Sequence, residues 1–143
     1  MTAQPEPPRR TGCWPLGLGV GTLARAREHT RGFLAEGPAV PPAALQDALV
    51  VVSELVSNAI RHAPGPCTLE LTDNCGTVTI AVTDVSTAPP RPRPGDLETA
   101  TGGFGWHLLE HLAQQVQVRL DPPHGKTVSA TVALSAVRGA VAG

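Results

Sequence analysis

The chain is predicted to fold as an α+β two-layer sandwich, with helices packed on one face of a mostly antiparallel sheet. Three observations carry this expectation. Two long stretches in the first half repeat apolar residues at helical spacing. Four later stretches alternate apolar and polar residues, as half-buried strands do. The chain has 143 residues, of which 41% are hydrophobic, enough for one core and too short for a second domain of ordinary size.

The first helix is expected over residues 22–36. Leu23, Ala26, Thr30, Phe33 and Leu34 share a face, and Gly37-Pro38 stops it. Pro41-Pro42 opens a second helix to His62. Leu45, Ala48, Leu49, Val52, Leu55, Val56, Ala59 and Ile60 form its apolar face. Asp47, Glu54, Asn58 and Arg61 fall on the opposite face, and Ala63-Pro64-Gly65-Pro66 ends it. Residues 68–72 and 77–83 then alternate around an Asn74-Cys75-Gly76 turn, giving a hairpin that ends at Asp84. Residues 85–103 have no periodicity and carry Pro89, Pro90, Pro92 and Pro94, the composition of a long lid loop. A third helix is expected over 104–115. Strands follow at 116–120 and 128–134 across the Pro122-Pro123-His124-Gly125 turn. The domain is expected to span 22–136, with tails at 1–21 and 137–143.

Composition removes several classes of function. The formal net charge is −1, so no basic excess points to nucleic acid or an acidic membrane. No stretch approaches the roughly 20 apolar residues of a membrane helix. Arg9-Arg10 ahead of residues 14–20 has the outline of a twin-arginine export signal. Pro15, Gly17 and Gly19 interrupt that run, so a flexible tail is expected instead. Cys13, Cys67 and Cys75 are sparse and odd in number, which fits free thiols in a reducing cytoplasm.

Four features carry possible chemistry. Glu54 and Asn58 lie one helical turn apart, so a carboxylate and an amide stand side by side. The amide oxygen suits Mg²⁺ and the carboxylate suits a general base. A lone pair of this kind is most often only a solvated helix face. Asp84, at a strand end, can accept a hydrogen bond from an exocyclic amine, although turn-initiating aspartates are common. Thr101-Gly102-Gly103-Phe104-Gly105 opens a helix, where glycines admit close approach of a phosphate. Gly125-Lys126-Thr127 resembles the end of a phosphate-binding loop. It lacks the upstream glycine, because position 120 is Leu, and it leads into a strand. Thr127 is expected to support a base site from that strand. His107-Leu108-Leu109-Glu110-His111 matches a short zinc-protease pattern, but no third ligand is evident and leucine spacing explains the helix.

In this order, the features resemble the GHKL family of ATPases and kinases, with its Bergerat ATP-binding fold, and most of all the bacterial anti-sigma-factor serine/threonine kinases. Residues 53–62, Ser-Glu-Leu-Val-Ser-Asn-Ala-Ile-Arg-His, look like that family's N box. Asp84 matches its G1 aspartate, 101–105 its G2 glycines and 125–128 its last strand motif. The resemblance covers about residues 22–135.

The resemblance implies a set of roles. Asn58 would hold Mg²⁺ against the phosphates of ATP, and Glu54 would be the catalytic base. Asp84 would read adenine with Thr127 beside it. Gly102, Gly103 and Gly105 would cap the phosphates, and Arg61 and His62 would reach them from the helix. It further implies a cytoplasmic kinase that phosphorylates an antagonist protein, binds a sigma factor and forms a homodimer. The alternative is an interaction module, ATP-binding or ATP-independent, without kinase activity. Ser86 replaces a usual glycine two residues after the aspartate, and Phe104 and Trp106 also depart from the family pattern.

Overall fold

The structure is a computed structural model and describes residues 10–17, 19–62, 65–85, 102–121 and 125–135, with backbone only for 62 and 102–106. Eight elements follow one another: β1 (Arg10–Leu16), α1 (Thr22–Ala35), α2 (Pro42–His62), β2 (Cys67–Asp73), β3 (Thr77–Asp84), α3 (Gly102–Leu112), β4 (Gln115–Asp121) and β5 (Gly125–Ala133). The strands form one sheet in the order β1-β2-β3-β5-β4, and every neighbouring pair is antiparallel. The expected α+β sandwich is therefore present. The expected lid at 85–103 and the 89–94 stretch fall outside the described residues, apart from Val85, Gly102 and Gly103.

Alternation dictates the two faces of the sheet. Leu69 and Leu71, Val78, Ile80 and Val82, and Val128, Ala130 and Val132 all point inward and are buried. Against them lies α2, whose Val52, Leu55, Val56 and Ala59 are likewise buried. α1 packs on α2 and β1, and α3 packs on α2 and β4. The outer face is rich in threonine. There Thr79 and Thr131 hydroxyls share a hydrogen bond at 3.2 Å, and the Asn74 amide donates to Thr79 at 2.9 Å. Cys75 and Gly76, both at positive φ (63° and 115°), make the tight β2–β3 turn.

The structure corrects the sequence expectation in four places. Residues 10–16, expected as flexible tail, form the edge strand β1. Gly12, Trp14 and Leu16 face inward and Pro15 faces outward, a place an edge strand allows. A Cβ at Gly12 would collide with the Trp14 ring, so glycine lets that ring fold back over the strand. The ring then stacks on His29 at 5.0 Å and meets Phe33 edge-on at 6.1 Å, which ties β1 to α1. Within α2, Asp47, expected on the polar face, is buried, and Ile60, expected on the apolar face, is 48% exposed. Finally, the 42–61 part of α2 does reach membrane-crossing length and apolarity. Half of that window is buried in the fold, where it covers the sheet, and the core accounts for its composition.

Candidate base-binding site at the end of strand β3

β3 carries its apolar alternation one step further, to a charge. After Val78, Ile80 and Val82, the next inward position is Asp84, which is only 3% exposed. Burying a carboxylate is costly unless it is paired. Its neighbour on β5 is Lys126, directly opposite in register and 1% exposed, with Nζ 3.5 Å from Asp84 Oδ2. Nζ makes no hydrogen bond among the described residues. An ammonium carries three donors, so this cation has charge compensation without hydrogen-bond satisfaction.

Gly125 brings the two strands this close. Its φ is 142°, in the region side chains avoid, and a Cβ there would collide with the Asp84 carbonyl oxygen. One position along the strand, the parity reverses. Thr127 points to the outer face, where its hydroxyl bonds to that of Thr83 at 2.8 Å. The expectation that Thr127 stands beside Asp84 is thus not met, and Lys126 takes that place. The alternation of Val128, Ala130 and Val132, extended back along the strand, places residue 126 inward, whereas the resemblance implied Thr127.

Cys67 completes the inward row on β2. Burial, with the Asp84 carboxylate as a second cause, pushes its thiol above the usual range, so it stays protonated and unreactive. It lines a cavity of about 400 Å³ with Ile60, Gly65, Val20 and Thr22. Neither that cavity nor one of about 200 Å³ beside Arg10 and Asp73 is lined by Glu54, Asn58 or Asp84.

The N-box residues lie on the second half of α2. Glu54 and Asn58 are both half-buried one turn apart, Arg61 is exposed, and His62 closes the helix. α2 crosses β3 and β5, the strands that bear Asp84 and Lys126, and α3 packs against it. Gly102, Gly103 and Gly105 are in the first turn of α3, while Thr101 and Ser86 lie outside the described residues. His107 and His111 are exposed, and among the described residues no three His, Cys, Asp or Glu side chains gather as a metal site.

Comparison with known proteins agrees with this layout. The family model described as a histidine kinase-like ATPase domain matches residues 19–132. The anti-sigma F factor of Pasteuria penetrans is 32% identical over 107 residues, spanning 66% of this chain and 71% of that protein. Among solved structures, the RsbU and RsbW domains of Rv1364c from Mycobacterium tuberculosis superpose with a TM-score of 0.66 at 18% identity, over 87% of this chain and 32% of that one. The blue-light activated histidine kinase EL346 of Erythrobacter litoralis gives 0.52 at 20% identity, over 87% of this chain and 43% of that one. The chain therefore spans less than half of either solved chain, and these two likenesses speak to fold alone. With a family match over most of its length and the same architecture, the chain belongs to the histidine kinase-like ATPase domain family, the GHKL group that its motifs resemble.

Proposed function

We propose that the chain is an ATP-dependent protein serine/threonine kinase of the anti-sigma-factor type, with its base site at Asp84. The observation that carries this reading is the buried, inward-facing Asp84 at the end of β3, within the region matched by the ATPase family. The anti-sigma F factor relative supports the narrower class.

The residues present fit the nucleotide. Gly125 lets β5 close on β3, and the buried Lys126 ammonium beside Asp84, which makes no hydrogen bond among the described residues, supports the reading of this end of the sheet as a ligand site. Asp84 accepts a hydrogen bond from the adenine amine. Asn58 would hold Mg²⁺ through its amide oxygen, a donor suited to a hard cation. When bound, Mg·ATP would supply the phosphoryl group to be transferred and positive charge to offset that of the phosphates. Glu54, one turn from Asn58, takes the proton of the attacking serine or threonine hydroxyl. Arg61 and His62, at the end of the same helix, would be the residues to meet phosphate there. The glycines of the first turn of α3 leave backbone N–H groups open to phosphate oxygens. Asp84 and Lys126 are closed off from solvent, so base entry is coupled to a local opening.

The partner is an antagonist protein bearing the acceptor hydroxyl, with a sigma factor as the regulated protein, in the cytoplasm and with a homodimer as the working unit. Labelled ATP, incubated with the protein and a cognate antagonist, tests the reading. Phosphate should appear on a serine or threonine of the antagonist, and Glu54→Ala should reduce the rate by about 10² or more. Unchanged transfer by Glu54→Ala would remove the base assignment. No transfer, with ATP still bound, would make the chain an interaction module.

A further inference from the structure

We infer that Lys126 is a second base-reading residue, donating a hydrogen bond to the ring nitrogen N1 of adenine while Asp84 accepts from the neighbouring amine. This rests on the nucleotide reading of Asp84 above. Two observations point to it. Lys126 Nζ is buried, faces Asp84 Oδ2 at 3.5 Å and donates no hydrogen bond among the described residues. Its carbon stem comes off β5 directly opposite Asp84, so both side chains present their polar ends to the same place.

The physical argument concerns what a ligand does to the pair. A ligand amine that engages Asp84 weakens the attraction that keeps the Lys126 charge buried. Leaving a buried charge without compensation is strongly unfavourable. A ligand that binds well must therefore satisfy both groups, with a donor for the carboxylate and an acceptor for the ammonium on neighbouring positions of one edge. The Watson–Crick edge of adenine has this pattern, since the amine and N1 sit on either side of one ring carbon. Asp84 alone reads a single amine. Asp84 with Lys126 reads a donor–acceptor edge, which rejects bases and analogues that keep the amine but lack the acceptor.

Calorimetric titration of the full chain with Mg²⁺ complexes of ATP, 1-deaza-ATP and 7-deaza-ATP tests this. The 1-deaza analogue keeps the amine and loses N1, and the 7-deaza analogue keeps both. Wild-type protein should bind ATP and 7-deaza-ATP alike and 1-deaza-ATP at least about tenfold more weakly, the loss expected for one hydrogen bond from a charged donor. Lys126→Met should bind ATP about as weakly as wild type binds 1-deaza-ATP, and should no longer distinguish the two. Equal binding of all three by wild type, with Asp84→Asn weakening all of them, would overturn the role of Lys126 and leave the nucleotide site standing. Tighter ATP binding by Lys126→Met would also overturn it, because the ammonium would then be a competitor for Asp84. A larger loss with 7-deaza-ATP would overturn the assignment to N1. If wild type bound none of the three, the nucleotide reading would fail and this one with it. The analogue series on wild type decides the matter even if Lys126→Met does not fold.

Discussion

Two cation–carboxylate pairs sit at opposite ends of the inner sheet face, and they are built differently. At one end, Arg10 reaches Asp73 at 2.8 Å, donates to the Phe33 carbonyl at 3.0 Å and lies 4.4 Å over the Phe33 ring. Asp73 also accepts from the Cys75 amide at 2.9 Å. Each charge there has several partners and remains partly in contact with water, with side chains 33% and 13% exposed. At the other end, Lys126 meets Asp84 at 3.5 Å, both are buried, and the ammonium donates no hydrogen bond among the described residues. The first pair joins β1 to the β2–β3 turn and is complete. The second holds a donor that makes no hydrogen bond among the described residues, next to the carboxylate proposed above as the base site. Saturation of a charged pair, more than its presence, separates a structural tie from a place prepared for a ligand.

Substitutions can break or sharpen this contrast. The largest effect is expected from Asp84→Ala, which leaves the Lys126 charge buried and unopposed. Urea unfolding should register a loss of about 3–5 kcal/mol, and a loss no larger than that from Asp73→Asn would erase the distinction. Gly125→Ala comes next, at about 2–3 kcal/mol, because an alanine at that φ is strained and its methyl group meets the Asp84 carbonyl. ATP binding should fall with it, since β3 and β5 must separate.

Asp73→Asn belongs to the saturated pair and should cost about 1 kcal/mol near neutral pH. Its pH dependence is more telling than its size. The Cys75 amide first, and then Arg10, hold the Asp73 carboxyl below the usual range against the opposing effect of burial. A depressed carboxyl stabilises the fold above its unfolded value of about 3.9 and loses that contribution as pH falls through the folded value. The stability difference between wild type and Asp73→Asn should therefore shrink below about pH 4, and a constant difference down to pH 2 would contradict the assignment. Thr127→Val, on the outer face, should shift stability by no more than about 0.5 kcal/mol in thermal melts and leave ATP affinity unchanged. A large loss of affinity would return Thr127 to the base site.

Much of this was legible in the sequence where local pattern and burial agree. Val78, Ile80 and Val82 announced β3 and delivered Asp84 to its inward end by parity alone. The 3.6-residue stripe of α2 marked the helix that carries Glu54 and Asn58. β1 was not legible, because Gly12, Pro15 and Gly17 are poor strand formers and only pairing with β2 and the Trp14 ring packed over Gly12 make the strand. Asp47 and Ile60 were misplaced because a helical wheel says which residues share a face and not where along a 21-residue helix the covering layer lies. The parity of Val128, Ala130 and Val132 places Lys126 inward, but local pattern does not say which residue it meets. The topology β3-β5-β4, which inserts the last strand beside β3, creates that contact.

The proposed nucleotide base site lies at the inward end of β3. Calorimetry of Mg·ATP binding to the full chain, with Asp84→Asn and Asn58→Ala alongside, tests it most directly. Wild type should bind saturably, Asp84→Asn should lose at least about tenfold in affinity, and Asn58→Ala should lose the Mg²⁺ dependence. Binding by Asp84→Asn as tight as by wild type, or no binding at millimolar ATP, would contradict it.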